Sequence, residues 1–169
     1  MRLFLCLGLL LSSTVVCAQD WGPLQFLVGR WTGEGTGVPG EASGGFSFAP
    51  HLQGKILVRK NFADYPPAAG KPGFRHDDLM VVYRDESQRL RAMYFDNEGH
   101  VISYTVKPIE SGGVVLESEG PQNVTRYRMT YRASSADRVR IGFEIAPPGK
   151  DFAGYIEATA RRERTVVPR

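Results

Sequence analysis

FLVGRWTGEGTG, running from Phe26 to Gly37, is the stretch whose reading decides the fold. A short apolar turn leads into a strand on which Trp31, Gly33, Gly35 and Gly37 share one face. Thr32, Glu34 and Thr36 share the other, because side chains alternate along an extended chain. Glycine inside a strand gives up packing and costs backbone entropy, so its repetition on one face marks a bend or a close backbone approach. A sheet that curls and closes on itself needs such a strand. The expectation is a small β-barrel with Trp31 on its floor and Gly33 and Gly35 at the closure.

Upstream of this stretch, Arg2 precedes the apolar run Leu3–Leu11 and the small-residue site Val16-Cys17-Ala18. That pattern predicts a secretory signal peptide over residues 1–18, with residues 19–169 forming one barrel domain in the periplasm or outside the cell. The run is too short for a spanning helix, so no stable membrane span is expected. The alternative is a lipid on Cys17, which Val16 before it disfavours. Cleavage removes Cys6 and Cys17 and leaves no thiol, excluding disulfides, thiolate metal sites and a cysteine nucleophile. The 21 basic residues, less Arg2, stand against 18 acidic ones. That balance argues against a nucleic-acid partner.

Downstream, Trp21–Val28 reads as one helical turn with Pro23 at its start. After it, runs rich in Val, Ile, Phe and Tyr recur between turn signals, the pattern of an all-β, up-and-down meander. The expected strands are Gly29–Gly37, Gly44–Ala49, Lys55–Phe62, Asp77–Arg84, Leu90–Asp96, His100–Lys107, Val114–Glu119, Thr125–Arg132, Arg138–Ala146 and Phe152–Arg162. One long connection between Phe62 and His76, carrying Pro66, Pro67 and Pro72, is either a portal flap or a passive loop.

The hairpin Leu90–Lys107 has the most determined register. Asn97-Glu98-Gly99 fits a three-residue loop with Gly99 left-handed. Asp96 then stands opposite His100, Tyr94 opposite Ile102, and Ala92 opposite Tyr104. The other face carries Arg89, Arg91 and Lys107, so a slip by one residue would bury charge. The same test turns Phe46 and Phe48, Tyr127, Met129 and Tyr131, and Val139–Ile145 at alternate positions inward. Gly154, Ile156, Ala158 and Ala160 follow on the last strand. On the fourth strand Leu79, Val81 and Tyr83 are the expected inner set. Small residues beside tyrosines on the inner wall imply volume for a ligand, with Phe46, Tyr94, Tyr104 and Tyr127 lining it.

Titratable groups collect at one rim. His100 faces Asp96, which would orient the imidazole and raise its pKa. The pair either caps a strand end or supplies acid–base groups. His76 enters a strand from the long loop, and His51 sits in a surface turn. Arg59, Arg75, Arg161 and Arg162 are placed near barrel ends, Arg162 within reach of the Trp31 face. No G-x-S-x-G, HExxH or phosphate-loop motif is present, so no catalytic residue is assigned.

The opening Gly29-Arg30-Trp31-Thr32-Gly33-Glu34-Gly35 resembles that of calycin-like barrels, the lipocalin and fatty-acid-binding type. It looks closest to the nitrobindin-like group and to uncharacterised bacterial exported barrels. The resemblance implies a closed barrel with Arg161 or Arg162 over the Trp. Nitrobindin-like proteins bind haem through a His near the C-terminal end, and no His follows His100 here. The expectation is therefore no cofactor, and a small apolar or amphipathic ligand, or else a barrel surface for a partner. Its rivals are isomerase or cyclase chemistry using His100, Asp96, Tyr94 and Tyr104, and haem held by His76 or His100.

Overall fold

The apolar turn and the Trp-bearing strand meet where the sheet closes. The computed structural model describes residues 20–35, 43–67, 70–110 and 112–164. Within them, ten antiparallel strands follow one 3₁₀ turn, Gly22–Leu27. They are β1 Gly29–Gly33, β2 Ser43–His51, β3 Ile56–Tyr65, β4 Phe74–Arg84, β5 Leu90–Asp96, β6 Val101–Pro108, β7 Gly113–Ser118, β8 Arg126–Ser135, β9 Arg138–Ala146 and β10 Ala153–Arg162. Each pairs with the next, and β10 returns to β1 to close an up-and-down barrel. The segment expected to be a signal peptide, and Gly37, lie outside the described residues. Gly35 is described but follows the end of β1.

The 3₁₀ turn plugs one end of the barrel. Pro23 suits its first positions because no N–H is needed there. Trp21, Leu24 and Leu27 are fully buried beneath it. Arg162 on β10 stacks over Trp31, 4.3 Å from the ring centroid, and its guanidinium donates to the Val28 and Phe26 carbonyls. Those carbonyls end a turn and have no helical partner, so the cation satisfies them while covering the indole. Trp31 stacks on Phe46 at 5.8 Å, and Phe46 and Phe48 both pack against Tyr131. With Leu57, Val82, Val114 and Val139 fully buried beside them, this half of the interior is solid.

Glycines carry the corner where β1, β2 and β3 cross. A Cβ on Gly44 would sit 2.3 Å from the Phe62 carbonyl oxygen, and one on Gly45 2.6 Å from that of Trp31. Both contacts are backbone, so the strands would have to part. Gly45→Ala is expected to cost about 1–3 kcal/mol in urea unfolding, the usual overpacking penalty. Gly142→Ala, whose Cβ would meet Thr130 only at 4.0 Å, is the control and should lose nothing. Equal midpoints for the two variants would refute the close approach.

Four expectations need correction. On β4 the inward set is Asp78, Met80 and Val82, all buried, and Leu79, Val81 and Tyr83 face outward. The reason is register: Val82 stands opposite both Leu57 and the buried Ala92. Arg59 is no end residue but lies buried at mid-strand on β3. The connection after Phe62 is shorter than expected, since β3 runs to Tyr65 and β4 starts at Phe74, their rings stacked at 4.5 Å. On β10 a bulge at Tyr155 shifts the register, so Gly154 pairs with outward Glu144 and leaves the inner row.

The outer face of β8 and β9 carries Arg126, Arg128, Arg132, Arg138, Arg140 and Glu144. Arg126 and Arg128 lie over Phe152, and Arg128 pairs with Glu117 and Glu144. The outer face of β8 and β9 is charged where a membrane barrel presents an apolar band. Among the described residues no helix is long and apolar enough to cross a membrane.

Candidate functional site

The inward rows change character from the plugged end to the other. On β3 the row reads Leu57, Arg59, Asn61, and on β4 it reads Val82, Met80, Asp78, His76. Pairing brings Asn61 opposite Asp78, Asp78 opposite Asp96, and Asp96 to the turn facing His100. Polar side chains from β3, β4 and β5 and from the turn before β6 therefore gather into one chain of contacts.

Its centre is the ion pair between Arg59 Nη1 and Asp78 Oδ1, both side chains buried. Asp78 Oδ2 accepts from Asn61 Nδ2 at 2.8 Å and lies 3.3 Å from His76 Nε2. The same Nε2 is 3.2 Å from the Tyr94 hydroxyl, which donates to Asp96 Oδ2 at 3.2 Å. Asp96 Oδ2 holds His100 Nδ1 at 2.8 Å, and His76 Nδ1 is 2.7 Å from Glu98 on the hairpin tip. Tyr104 packs edge-on to Tyr94 at 6.4 Å.

Burial sets the electrostatics. It pushes the Tyr94 and Tyr104 hydroxyls well above the ordinary phenol range, with Asp78 adding to the shift and Arg59 opposing it. It pushes Tyr131 up to about 12. These phenols are neutral donors at any working pH. For Arg59 burial opposes the charge, and the fields of Asp78, Tyr131, Tyr94 and Tyr104 outweigh it and hold the cation.

Asp96 shows the opposite balance. Burial would raise its pKa, but the His100 N–H, the His100 imidazole and the Glu98 N–H hold it below the usual carboxylate range. A carboxyl depressed on folding stabilises the fold above its unfolded value of about 3.9 and loses that as pH falls through the folded one. Asp96→Asn is therefore expected to flatten the loss of stability below about pH 4. Asp85, Asp137 and Glu163, also depressed, contribute to the slope that remains. Unfolding free energy measured against pH checks this, and an unchanged acid slope would contradict it.

Facing this polar wall are inward apolar residues that are only half covered. Ile102, Tyr127, Ile141 and Phe143 are half-buried, and Ile156 is 39 % exposed. Tyr127 stacks on Phe143 at 6.1 Å, and Tyr155 meets the Phe143 edge at 6.2 Å. Ala158 stands opposite Ile141 and is exposed. The mouth is thus amphipathic, with tyrosines and carboxylates on β4–β6 and bare hydrocarbon on β8–β10.

Of the residues singled out from sequence, Tyr94, Asp96, His100, Tyr104 and His76 come together here. Tyr127 lies on the apolar wall. Phe46 belongs to the floor stack, though Arg59 lies 5.7 Å over its ring. Trp31, Gly33 and Arg162 serve closure at the other end. The sequence reading put Arg59 near a barrel end and passed over Asn61 and Asp78. The turn at 85–89 held the signal, because it sets Arg84 opposite Leu90 and so turns Asp78 inward.

A broad open groove also runs over β7–β10, about 1710 Å³, lined by Glu117, Arg128, Arg140 and Glu144 along with Ile141 and Phe143. Arg128 there is paired with Glu117 and Glu144, whereas the interior holds buried polar atoms lacking partners, and the chemistry collects there. Among the described residues no cluster of His, Asp and Glu is arranged to hold a metal ion. Both His76 nitrogens are already engaged, so that residue does not fit as a haem ligand. No family model matches the chain, and no curated protein is significantly similar to it.

Proposed function

We propose that the barrel is a secreted or periplasmic binding protein for a small amphipathic molecule, which enters at the His100 rim. The molecule lies with its apolar part against Tyr127, Phe143 and Ile156 and its polar part towards Tyr94 and Tyr104. One observation carries this reading. The inward rows that are fully buried at the plugged end leave aromatic and aliphatic side chains open to water at the mouth. Bare hydrocarbon on a concave wall is the ordinary signature of a ligand surface.

The test is a titration with N-phenylnaphthylamine, a neutral dye that brightens in apolar surroundings. Saturable binding is expected, and Ala158→Phe, which projects a ring into the mouth, should abolish it. Lys60→Phe, on the outer face of β3, should leave it unchanged. Wild-type binding by folded Ala158→Phe would place the dye elsewhere and end the reading.

The oriented Asp96–His100 pair favours a second reading, acid–base catalysis on the bound molecule. His100 is half exposed, so His100→Ala should keep dye affinity while removing any turnover. The haem alternative is disfavoured at His76, whose two nitrogens are both engaged, and at His100 it would have to use Nε2, since Asp96 holds Nδ1.

A further inference from the structure

We propose that Arg59 Nε and the Tyr104 hydroxyl form a headgroup site for a neutral hydrogen-bond acceptor, a ketone or amide carbonyl, and discriminate against carboxylates. The proposal rests on the interior-binding reading above and names the ligand's chemical class.

Both atoms are buried and have no hydrogen-bond partner among the described residues. Their residues are 4 % and 1 % exposed. A buried polar atom left unpaired is costly, so such atoms are normally met by protein, water or ligand. The neighbouring groups are turned to other partners, and none reaches these two atoms. Asp78 has given one oxygen to Arg59 Nη1 and the other to Asn61 and His76. Tyr94 donates to Asp96, and Tyr131 donates to the Met129 sulfur at 3.0 Å. What remains is one N–H on β3 and one hydroxyl on β6, both turned into the barrel and each within the other's field. Two unpartnered donors on the same inner wall suit an oxygen with two lone pairs.

Charge decides between a carbonyl and a carboxylate. Arg59 is already neutralised by Asp78, and Asp96 lies next along the same chain of contacts. An incoming carboxylate would be a buried anion with no unpaired cation, close to two others, and its desolvation would go uncompensated. A carbonyl brings acceptor capacity without charge. Tyr104 cannot ionise to reverse this, because burial keeps its proton on.

The experiment displaces N-phenylnaphthylamine from the purified protein with methyl octyl ketone or with decanoate, chains of equal carbon number, at about pH 8 where the acid is ionised. The ketone should displace the dye at roughly tenfold lower concentration than decanoate, the scale of one well-made hydrogen bond to a charged donor. Tyr104→Phe should weaken the ketone about tenfold, and it deletes an unpaired hydroxyl while keeping the ring, so folding is preserved. Lys60→Phe, on the outer face of β3, should bind ketone and dye as the wild type does. Decanoate binding as tightly as the ketone would overturn the headgroup assignment. So would a Tyr104→Phe variant with wild-type ketone affinity, which would mean the two donors serve an internal water. In both cases intact dye binding leaves the interior reading standing. A wild-type protein that takes up no dye would end that reading and this proposal with it.

Discussion

Asp78→Ala is expected to destabilise the protein by about 3–5 kcal/mol, the cost of leaving a buried charge without its counter-ion. Arg59 would keep its cation on the inner wall with only tyrosine hydroxyls near it, and Asn61 and His76 would lose their shared acceptor. The double variant Arg59→Met with Asp78→Leu should recover most of that loss, because apolar groups of similar size need no partner. Urea unfolding of the single and double variants decides the matter. A single variant that loses less than about 1 kcal/mol would show the pair to be solvated, as exposed ion pairs are. A double variant as unstable as the single would show that packing, not charge, fails there.

Trp31→Ala is expected to cost about 3–5 kcal/mol, the range for deleting a large buried aromatic side chain. The indole stacks on Phe46, lies beneath Arg162, and donates its N–H to the Leu27 carbonyl at 2.9 Å. Its loss would open the plugged end beneath the 3₁₀ turn and leave the Arg162 guanidinium without the ring it covers. Trp31→Phe should recover part of the loss, since a smaller ring still fills much of the site but makes no hydrogen bond. An unfolding midpoint close to wild type for Trp31→Ala would remove this residue from the floor of the barrel.

The hairpin Leu90–Lys107 was legible because two local constraints agree there. Gly99 takes the left-handed φ of 93° that the short loop requires, and a slip would have buried Arg89 and Arg91. The contact of Trp31 with Arg162 was legible for a different reason, since both lie on inward positions of strands that must meet when the sheet closes. β4 was harder because both its faces are apolar: Leu79, Val81 and Tyr83 read as well as Met80 and Val82. The face with Asp78 looks wrong for a core until Arg59 is known to meet it. That partner sits on a strand reached through a loop whose length was itself misjudged. Charge alternation, which oriented β5, β6, β8, β9 and β10, points the wrong way wherever two opposite charges are buried together. The bulge at Tyr155 had no local signal, since Gly154 fits an alternating row equally well.

The central claim is that a small amphipathic molecule lies inside the mouth of the barrel. Amide proton–nitrogen correlation spectra recorded during titration with methyl octyl ketone test it most directly. Shifts are expected to concentrate at Tyr94, Ile102, Tyr104 and Tyr127, which the outer groove does not touch, with none at the solid floor around Leu57 and Val114. Shifts confined to the outer groove at Arg128, Thr130 and Arg140, or no shifts at millimolar ketone, would contradict it.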